Sequence, residues 1–337
     1  AIFIEGNFTK YRDVSTKFMA ILADFSPFLE PMGIDEAYLD VTGFESLHGS
    51  IRQMAARIKR RVRDELGIRA SVGIASSKVV AKIASDLSKP DGLIEVAPGG
   101  EGSFLKPLPV AKLPGIGKKM GSVFSQLGID TVGKISLTPL SLLKSRFGVY
   151  GELLYRLASG IDNRQVEPPA AAKSISRETT FARDIRKPGT IEATLRYLSE
   201  RVGSKLRRRG RQTRCITLKL RYADFTTITR RHTLARATDA DQAIFGTGQG
   251  LLLKALARER RAVRLIGIGV SGLVEPGRQL DMLDPAAARL EQLNTAIDRI
   301  RTKYGFTAIQ TGRTLRLREI FPQGENGYTL PTPSLSR

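Results

Sequence analysis

From residue 97 to residue 166 the chain carries no strand pattern, whereas on both sides of that stretch strands alternate with amphipathic helices. One continuous sheet cannot run through such a gap, so the period of the apolar residues divides the molecule. Residues 1–96 read as a mixed α/β layer. "FTKYRDVSTKFMAILADF" repeats Phe8, Tyr11, Val14, Phe18, Ile21 and Leu22 at helical spacing, and "PFLEPMGIDEAYLDVTG" predicts a β-hairpin. "SIRQMAARIKRRVRDELG" is an amphipathic helix ending at Gly67. "RASVGIA" is a strand, and Ser76 and Ser77 are placed to cap the helix "KVVAKIASDLS". Pro90, Asp91 and Gly92 stop that helix before a last strand, "LIEVA". Residues 97–166 hold short helices and Gly/Pro turns, dominated by "LPGIGKKMGSVFSQLGI" and "LTPLSLLKSRFGVYGELLYRLASGID". "EPPAAAKSISR", residues 167–177, forms a basic Pro/Ala-rich linker. Residues 178–320 return to α+β. They give a strand "TTFARDI", a helix over 188–210, a hairpin of "RCITLKLRYAD" and "TTITRRHTL", a helix over 239–258, a strand "VRLIGIGVSGLVE" and a helix over 285–304. Residues 321–337 are polar and Pro-rich and are expected to be a flexible tail.

A length of 337 residues suits two or three domains, and a hydrophobic fraction of 41% is enough for real cores. The formal charge of +21 sets the function class. Such an excess repels itself unless a polyanion relieves it, with nucleic acid the first candidate and an anionic membrane surface the second. No apolar run approaches the roughly 20 residues of a membrane span. The single cysteine, Cys215, allows no disulfide within the chain and fits a reducing, cytoplasmic setting. The opening "AIFIEGNFTKYRD" lacks the features of a signal peptide. It also lacks an initiator methionine and does not read as a natural beginning.

Four patterns bear on chemistry. In "PGIGKK", Gly115 and Gly117 allow a tight turn whose backbone can approach a phosphate, and the following helix offers free N–H groups and its positive dipole end. With Ile116 between the glycines and Lys118 and Lys119 after them, this is a helix-hairpin-helix pattern that grips DNA backbone without reading bases. In "RCITLKLRY", Thr217, Lys219 and Arg221 share one strand face and Ile216, Leu218 and Leu220 the other. Together with Arg230 and Arg231 this suits a sheet with one basic face. In "MGIDEAYLDVTG", Asp35 and Glu36 are adjacent carboxylates, which a regular strand would point to opposite faces. Pro31 and Gly33 permit a turn that brings both to one site, and a cation such as Mg²⁺ would relieve their repulsion. A solvated turn with incidental acids would look the same. Lys78, Lys82 and Lys89 lie on or just past one helix; Lys82 and Asp86 are spaced for an ion pair, and Lys89 can reach outward.

In order and spacing, "GIDEAYLDVTG", "SVGIASSKVVAKIASDLSKPDG", "LPGIGKK" and "KSISRETTF" closely resemble the Y-family translesion DNA polymerases, and the bacterial DNA polymerase IV branch best of all. The resemblance covers residues 1–320 and implies an α+β multidomain fold. Its parts are a partial palm (mixed sheet with helices) over 1–96, a small all-α helix-hairpin-helix thumb over 97–166, and an α+β little finger over 178–320. It implies that Asp35 is a metal ligand and Glu36 the second catalytic carboxylate, with two Mg²⁺ ions in the complete enzyme. Lys89 matches the triphosphate-contacting lysine, and Lys82 a basic position near the substrate. DNA contacts are expected from Gly115, Gly117, Lys118, Lys119, Lys173, Ser174, Ser176, Arg177, Lys219, Arg221, Arg230 and Arg231.

The family also begins with a strand bearing another metal-binding Asp, an aromatic residue that excludes ribonucleotides, and a fingers domain. This sequence enters about where the fingers end, so Asp35 and Glu36 alone make an incomplete cage. In "RQLDMLDP", Gln279, Leu280, Met282 and Leu283 resemble the peptide by which bacterial polymerases dock on the sliding clamp. The implied partners are primer–template DNA, dNTP and that clamp, with the chain a monomer and no membrane involved. Two other readings stay open: a non-catalytic DNA-binding adaptor with a polymerase-like body, and a helix-hairpin-helix repair nuclease or glycosylase.

Overall fold

The computed structural model describes residues 2, 6–258, 261–276, 285–324 and 326–331. Two compact units divide it, Ala1–Ala170 and Ala171–Arg337.

In the first unit, helix α1 (Phe8–Ala23) leads to the antiparallel hairpin β1 (Leu29–Pro31) and β2 (Ala37–Leu39). A short α2 (Glu45–His48) precedes α3 (Ile51–Leu66). Ser50 and Gln53 open α3 with a reciprocal capping box, and Gly67 closes it at φ 68°. Ile21, Leu22 and Phe25 pack there against Met54, Ile58 and Val62. Strand β3 (Val72–Ile74), helix α4 (Lys78–Leu87) and strand β4 (Leu93–Glu95) then form a parallel βαβ unit. Gly73 lets the helix lie against the strand, since a Cβ there would sit 2.0 Å from the Ala81 carbonyl oxygen. The remaining elements are helical: α5 (Glu101–Leu105), α6 (Lys118–Gln126), α7 (Val132–Leu137), α8 (Leu140–Phe147) and α9 (Val149–Ala158). Val79, Val80, Ile83 and Ala84 of α4 share one core with Leu105, Phe124, Ile135, Leu143 and Leu154. The change of period at residue 97 is therefore not a gap in the core.

Ser77 does occupy the N-cap position of α4, but its hydroxyl caps nothing, and Ser76 bonds Glu101 instead. The acceptor comes from far along the chain: the Val79 N–H donates to Asp162 Oδ2 at 3.1 Å. The Asp162 side chain is only 2% exposed and also pairs with Arg164 at 2.7 Å. Burial works to raise its pKa, yet Arg164 and the Val79 N–H outweigh burial and hold the carboxyl below the usual range. Asp162→Ala is expected to cost about 1–2 kcal/mol in urea unfolding, as for other lost caps. A group with a depressed folded-state pKa stabilises above its unfolded pKa. The difference between parent and variant should therefore be full above about pH 4 and shrink as pH falls further.

In the second unit, β5 (Ser174–Ile185) precedes α10 (Pro188–Arg208), β6 (Gln212–Tyr222), β7 (Thr227–Thr238), α11 (Asp241–Arg258) and β8 (Val263–Val274). The four long strands form one antiparallel sheet in the order β5-β8-β6-β7. Ile216, Leu218, Leu220 and Tyr222 of β6 alternate into the core beneath α10 and α11. Helix α12 (Pro285–Tyr304), a short α13 (Gly312–Leu315) and a small hairpin of β9 (Gln323–Gly324) and β10 (Gly327–Tyr328) follow.

Two expectations need correction. Strand β5 begins at Ser174, inside the segment read as linker, because its pairing with β8 runs on through Ile175 and Ser176. The tail is not loose from residue 321. Phe321 and Tyr328 are aromatic anchors buried in the core, the Tyr328 N–H donates to Tyr197 Oη at 2.9 Å, and the Thr180 N–H donates to the Pro331 carbonyl at 2.9 Å. Residues 332–337 lie outside the described residues. No helix among the described residues is long and apolar enough to cross a membrane.

Candidate active site and nucleic-acid interface

The β1–β2 hairpin turns through residues 32–36, closed by the Met32 and Gly33 N–H groups on the Glu36 carbonyl at 2.8 and 3.3 Å. Asp35 thus sits in the turn and Glu36 at its end, so neither obeys strand alternation. Lys82 on α4 meets Glu36 Oε1 at 2.5 Å and Asp86 Oδ1 at 3.3 Å, and Lys89 meets the same Asp86 oxygen at 2.7 Å. A string of alternating charges therefore runs from the acidic turn to Lys89. Burial works to lower the pKa of the Lys82 ammonium, but Glu36 and Asp86 together outweigh it and hold it above the usual range. Burial likewise works to raise Asp86, and Lys89 and Lys82 hold it below the usual range.

The loop carrying Lys89 is pinned from α3. Lys59 Nζ donates to the Asp91 and Gly92 carbonyls at 2.5 and 3.0 Å and pairs with the Asp91 carboxylate at 2.9 Å, while Arg63 reaches Asp91 at 2.5 Å. Sequence reading named neither residue. Their spacing on α3 gave only an amphipathic helix, and nothing local links them to residue 91. The Lys82–Glu36 pair was also missed, because it joins residues 46 apart.

Among the described residues no group of three or more His, Cys, Asp or Glu side chains is placed to hold a metal ion. Magnesium takes one or two protein carboxylates and completes its shell with water and phosphate oxygens. Two adjacent carboxylates such as Asp35 and Glu36 match the protein share of such a shell in number and charge.

In the "PGIGKK" turn, Gly115 adopts φ 95°, and a Cβ there would meet Tyr150 Oη at 2.0 Å. Ile116 is buried in the core, and Gly117 is the N-cap of α6. Its first residues, Lys118 and Lys119, are exposed. With Met120, Val123, Arg146 and Phe147 they line an open cleft of about 710 Å³.

The sheet of the second unit sorts its basic residues by register. Residues opposite each other share a face. Ser174 aligns with Ser271 and Cys215, Ser176 with Gly269 and Thr217, and Thr217 with Arg231. Lys219 and Arg221 extend this open face, and Lys173 is exposed just before it. Arg177 and Arg230 align with Ile268 and Leu218 and so belong to the helix-covered face. Adjacent arginines 230 and 231 therefore do not act together. Lys219 is held by Glu178 at 2.8 Å, which spends part of the expected charge. The central strand β8 has Gly267, Gly269 and Ser271 on this face, and Gly267 is buried beneath the Glu178 side chain, which reaches Lys219 from the other flanking strand. Gln279, Leu280, Met282 and Leu283 lie outside the described residues.

Comparison with known proteins follows the same division. Residues 1–86 match the profile of the impB/mucB/samB family, residues 172–282 that family's C-terminal domain, and residues 111–162 the thumb domain of DNA polymerase-iota. The chain is 56% identical over 321 residues to a DNA polymerase IV of Dehalococcoides mccartyi, covering 95% of this chain and 82% of the relative. It is 40% identical to the DNA polymerase IV of Caulobacter vibrioides, covering 94% and 79%. Among solved structures, a Y-family DNA polymerase chimera of Dbh and Dpo4 superposes with a TM-score of 0.73 at 26% identity, covering 82% of this chain and 80% of that one. An insertion ternary complex of Dbh DNA polymerase gives a TM-score of 0.55 at 25% identity, with the same coverage. By family profile, by relatives and by fold, this chain belongs to the Y-family translesion DNA polymerases, in the DNA polymerase IV branch of the impB/mucB/samB family.

Proposed function

We propose that Asp35 and Glu36 form the acidic centre at which this polymerase joins a deoxynucleotide to a primer 3′-end, and that Lys89 receives the triphosphate. The observation that carries the reading is the charge string Glu36–Lys82–Asp86–Lys89, which ties the acidic turn to the loop after α4. Bound Mg²⁺ would supply charge neutralisation at the attacking and leaving oxygens, with Asp35 and Glu36 as its protein ligands. Lys82 holds the Glu36 carboxylate in place. Asp86 steadies Lys89, whose side chain is 58% exposed and so accessible to an anion from solvent. Lys59 and Arg63 fix the loop that carries it, so its charge is positioned before substrate arrives. In this reading residues 1–96 are the palm, 97–166 the thumb and 178–320 the little finger. Gly115, Gly117, Lys118 and Lys119 grip backbone phosphates, while Ser174, Ser176, Lys219, Arg221 and Arg231 face the duplex. Residues 279–283 dock on the sliding clamp, and the chain works as a cytoplasmic monomer.

Steady-state primer extension with Mg²⁺ tests the assignment. Lys89→Ala is expected to raise the KM for dNTP about tenfold, the scale of one charge-assisted contact, with primer–template affinity unchanged. An unchanged KM would remove Lys89 from the triphosphate site. Tight DNA binding with no response to dNTP would favour the non-catalytic adaptor.

A further inference from the structure

The β6–β7 hairpin turns at a residue ill suited to its conformation. Phe225 has φ 62°, the only positive φ outside glycine among the described residues. Glycine, asparagine or aspartate would take this position at less cost, whereas a bulky aromatic is an outlier there. Nor does the ring contribute to a core, since Phe225 is 63% exposed. Folding gains from neither feature.

The tip that presents the ring is rigid. The Phe225 N–H donates to the Tyr222 carbonyl, and the Tyr222 N–H to the Thr226 carbonyl, both at 2.9 Å. The Thr226 N–H donates to Asp224 Oδ1 at 3.0 Å, and Arg261 holds the other oxygen of that carboxylate at 2.5 Å. The Ala223 N–H ties the turn to the Ala262 carbonyl at 3.0 Å. Over one face of the ring, the Arg264 guanidinium lies 4.7 Å from its centroid and also pairs with Asp184 at 3.5 Å, which leaves the other face for a ligand. Arg221 stands next to the turn, with Nε donating to Thr227 Oγ1 at 3.0 Å.

A fixed, water-exposed aromatic face flanked by guanidinium groups matches a flat π-face joined to phosphates. An unpaired nucleobase has that face free, whereas a base inside a duplex has both faces stacked. We propose that Phe225 is a stacking platform for an unpaired base of single-stranded DNA, with Arg264 backing the ring and Arg221 facing the adjoining phosphate. The proposal rests on the reading that the sheet of the second unit binds DNA.

Fluorescence anisotropy with the intact chain tests it, using a labelled oligothymidylate and a blunt-ended duplex at one salt concentration. Phe225→Gly and Phe225→Ala are expected to lose about tenfold on the oligothymidylate and nothing on the duplex, while Phe225→Trp keeps the parental affinity. The glycine variant relieves the backbone, so its thermal midpoint should equal or exceed the parent's, which separates a lost contact from a lost fold. Parental single-strand affinity in Phe225→Gly would overturn the proposal. So would equal weakening on both probes, which would mark the ring as a general support of the sheet. If the parent binds neither probe, the DNA-binding reading of the sheet fails, and the proposal fails with it.

Discussion

Between roughly 50 and 200 mM salt, the affinity of this chain for primer–template DNA is expected to fall by about 10³–10⁵, the loss that accompanies 6–10 neutralised phosphates. A formal charge of +21 gives the potential for it, but the unpaired cations on binding surfaces set the slope. Lys82, Arg207 and Lys219 already face carboxylates and have little to release. On the proposed reading, the phosphate contacts come from Lys118 and Lys119 at the start of α6, Arg146 across the cleft, and Arg231 on the open sheet face. Affinity should therefore vary little among unrelated duplexes of one length, because phosphate contacts position without specifying. A titration by fluorescence anisotropy checks both points. A flat salt dependence, or strong preference for one duplex sequence, would exclude a grip on the backbone.

The elements legible in the sequence are those whose signal is local. The alternation in residues 212–222 showed which residues of β6 face the core, and Gly67 marked the end of α3. The acidic turn was legible for the same reason, since Pro31 and Gly33 stand next to the carboxylates they reorient. What stayed hidden depends on residues distant in the chain. Asp162 caps α4 from 83 positions away, a place where Ser77 looked sufficient. The register that separates Arg231 from Arg230 is fixed by pairing with β6, and no property of residue 230 alone reveals it. Helix α12 shows the limit most clearly. Its apolar Leu293, Ile300 and Tyr304 are exposed, while Asn294, Asp298 and Arg301 face Gln242, Arg207 and Glu200. Its helical period is plain, yet the face it buries is polar, because α10 and α11 present charges that only the assembled unit brings together. The tail misled in the same way: Phe321 and Tyr328 are two aromatics in a Pro/Gly-rich setting, and only the core waiting for them makes them anchors.

Glu36→Gln and Asp35→Asn are each expected to lower primer extension with Mg²⁺ and dNTPs by about 10²–10³, the usual cost of losing one preorganised electrostatic contact at a reacting centre. The fold should survive. The Lys82–Glu36 pair is partly open to solvent, with side chains 26% and 42% exposed, so breaking it costs at most about 1 kcal/mol. DNA affinity should also hold, because the phosphate-facing cations lie on α6 and on the sheet of the second unit and not on the β1–β2 turn. This combination of lost turnover with retained folding and binding separates a catalytic role from a structural one. If the Glu36→Gln variant turns over like the parent, Glu36 is no catalytic carboxylate, and its pairing with Lys82 serves only to join the hairpin to α4.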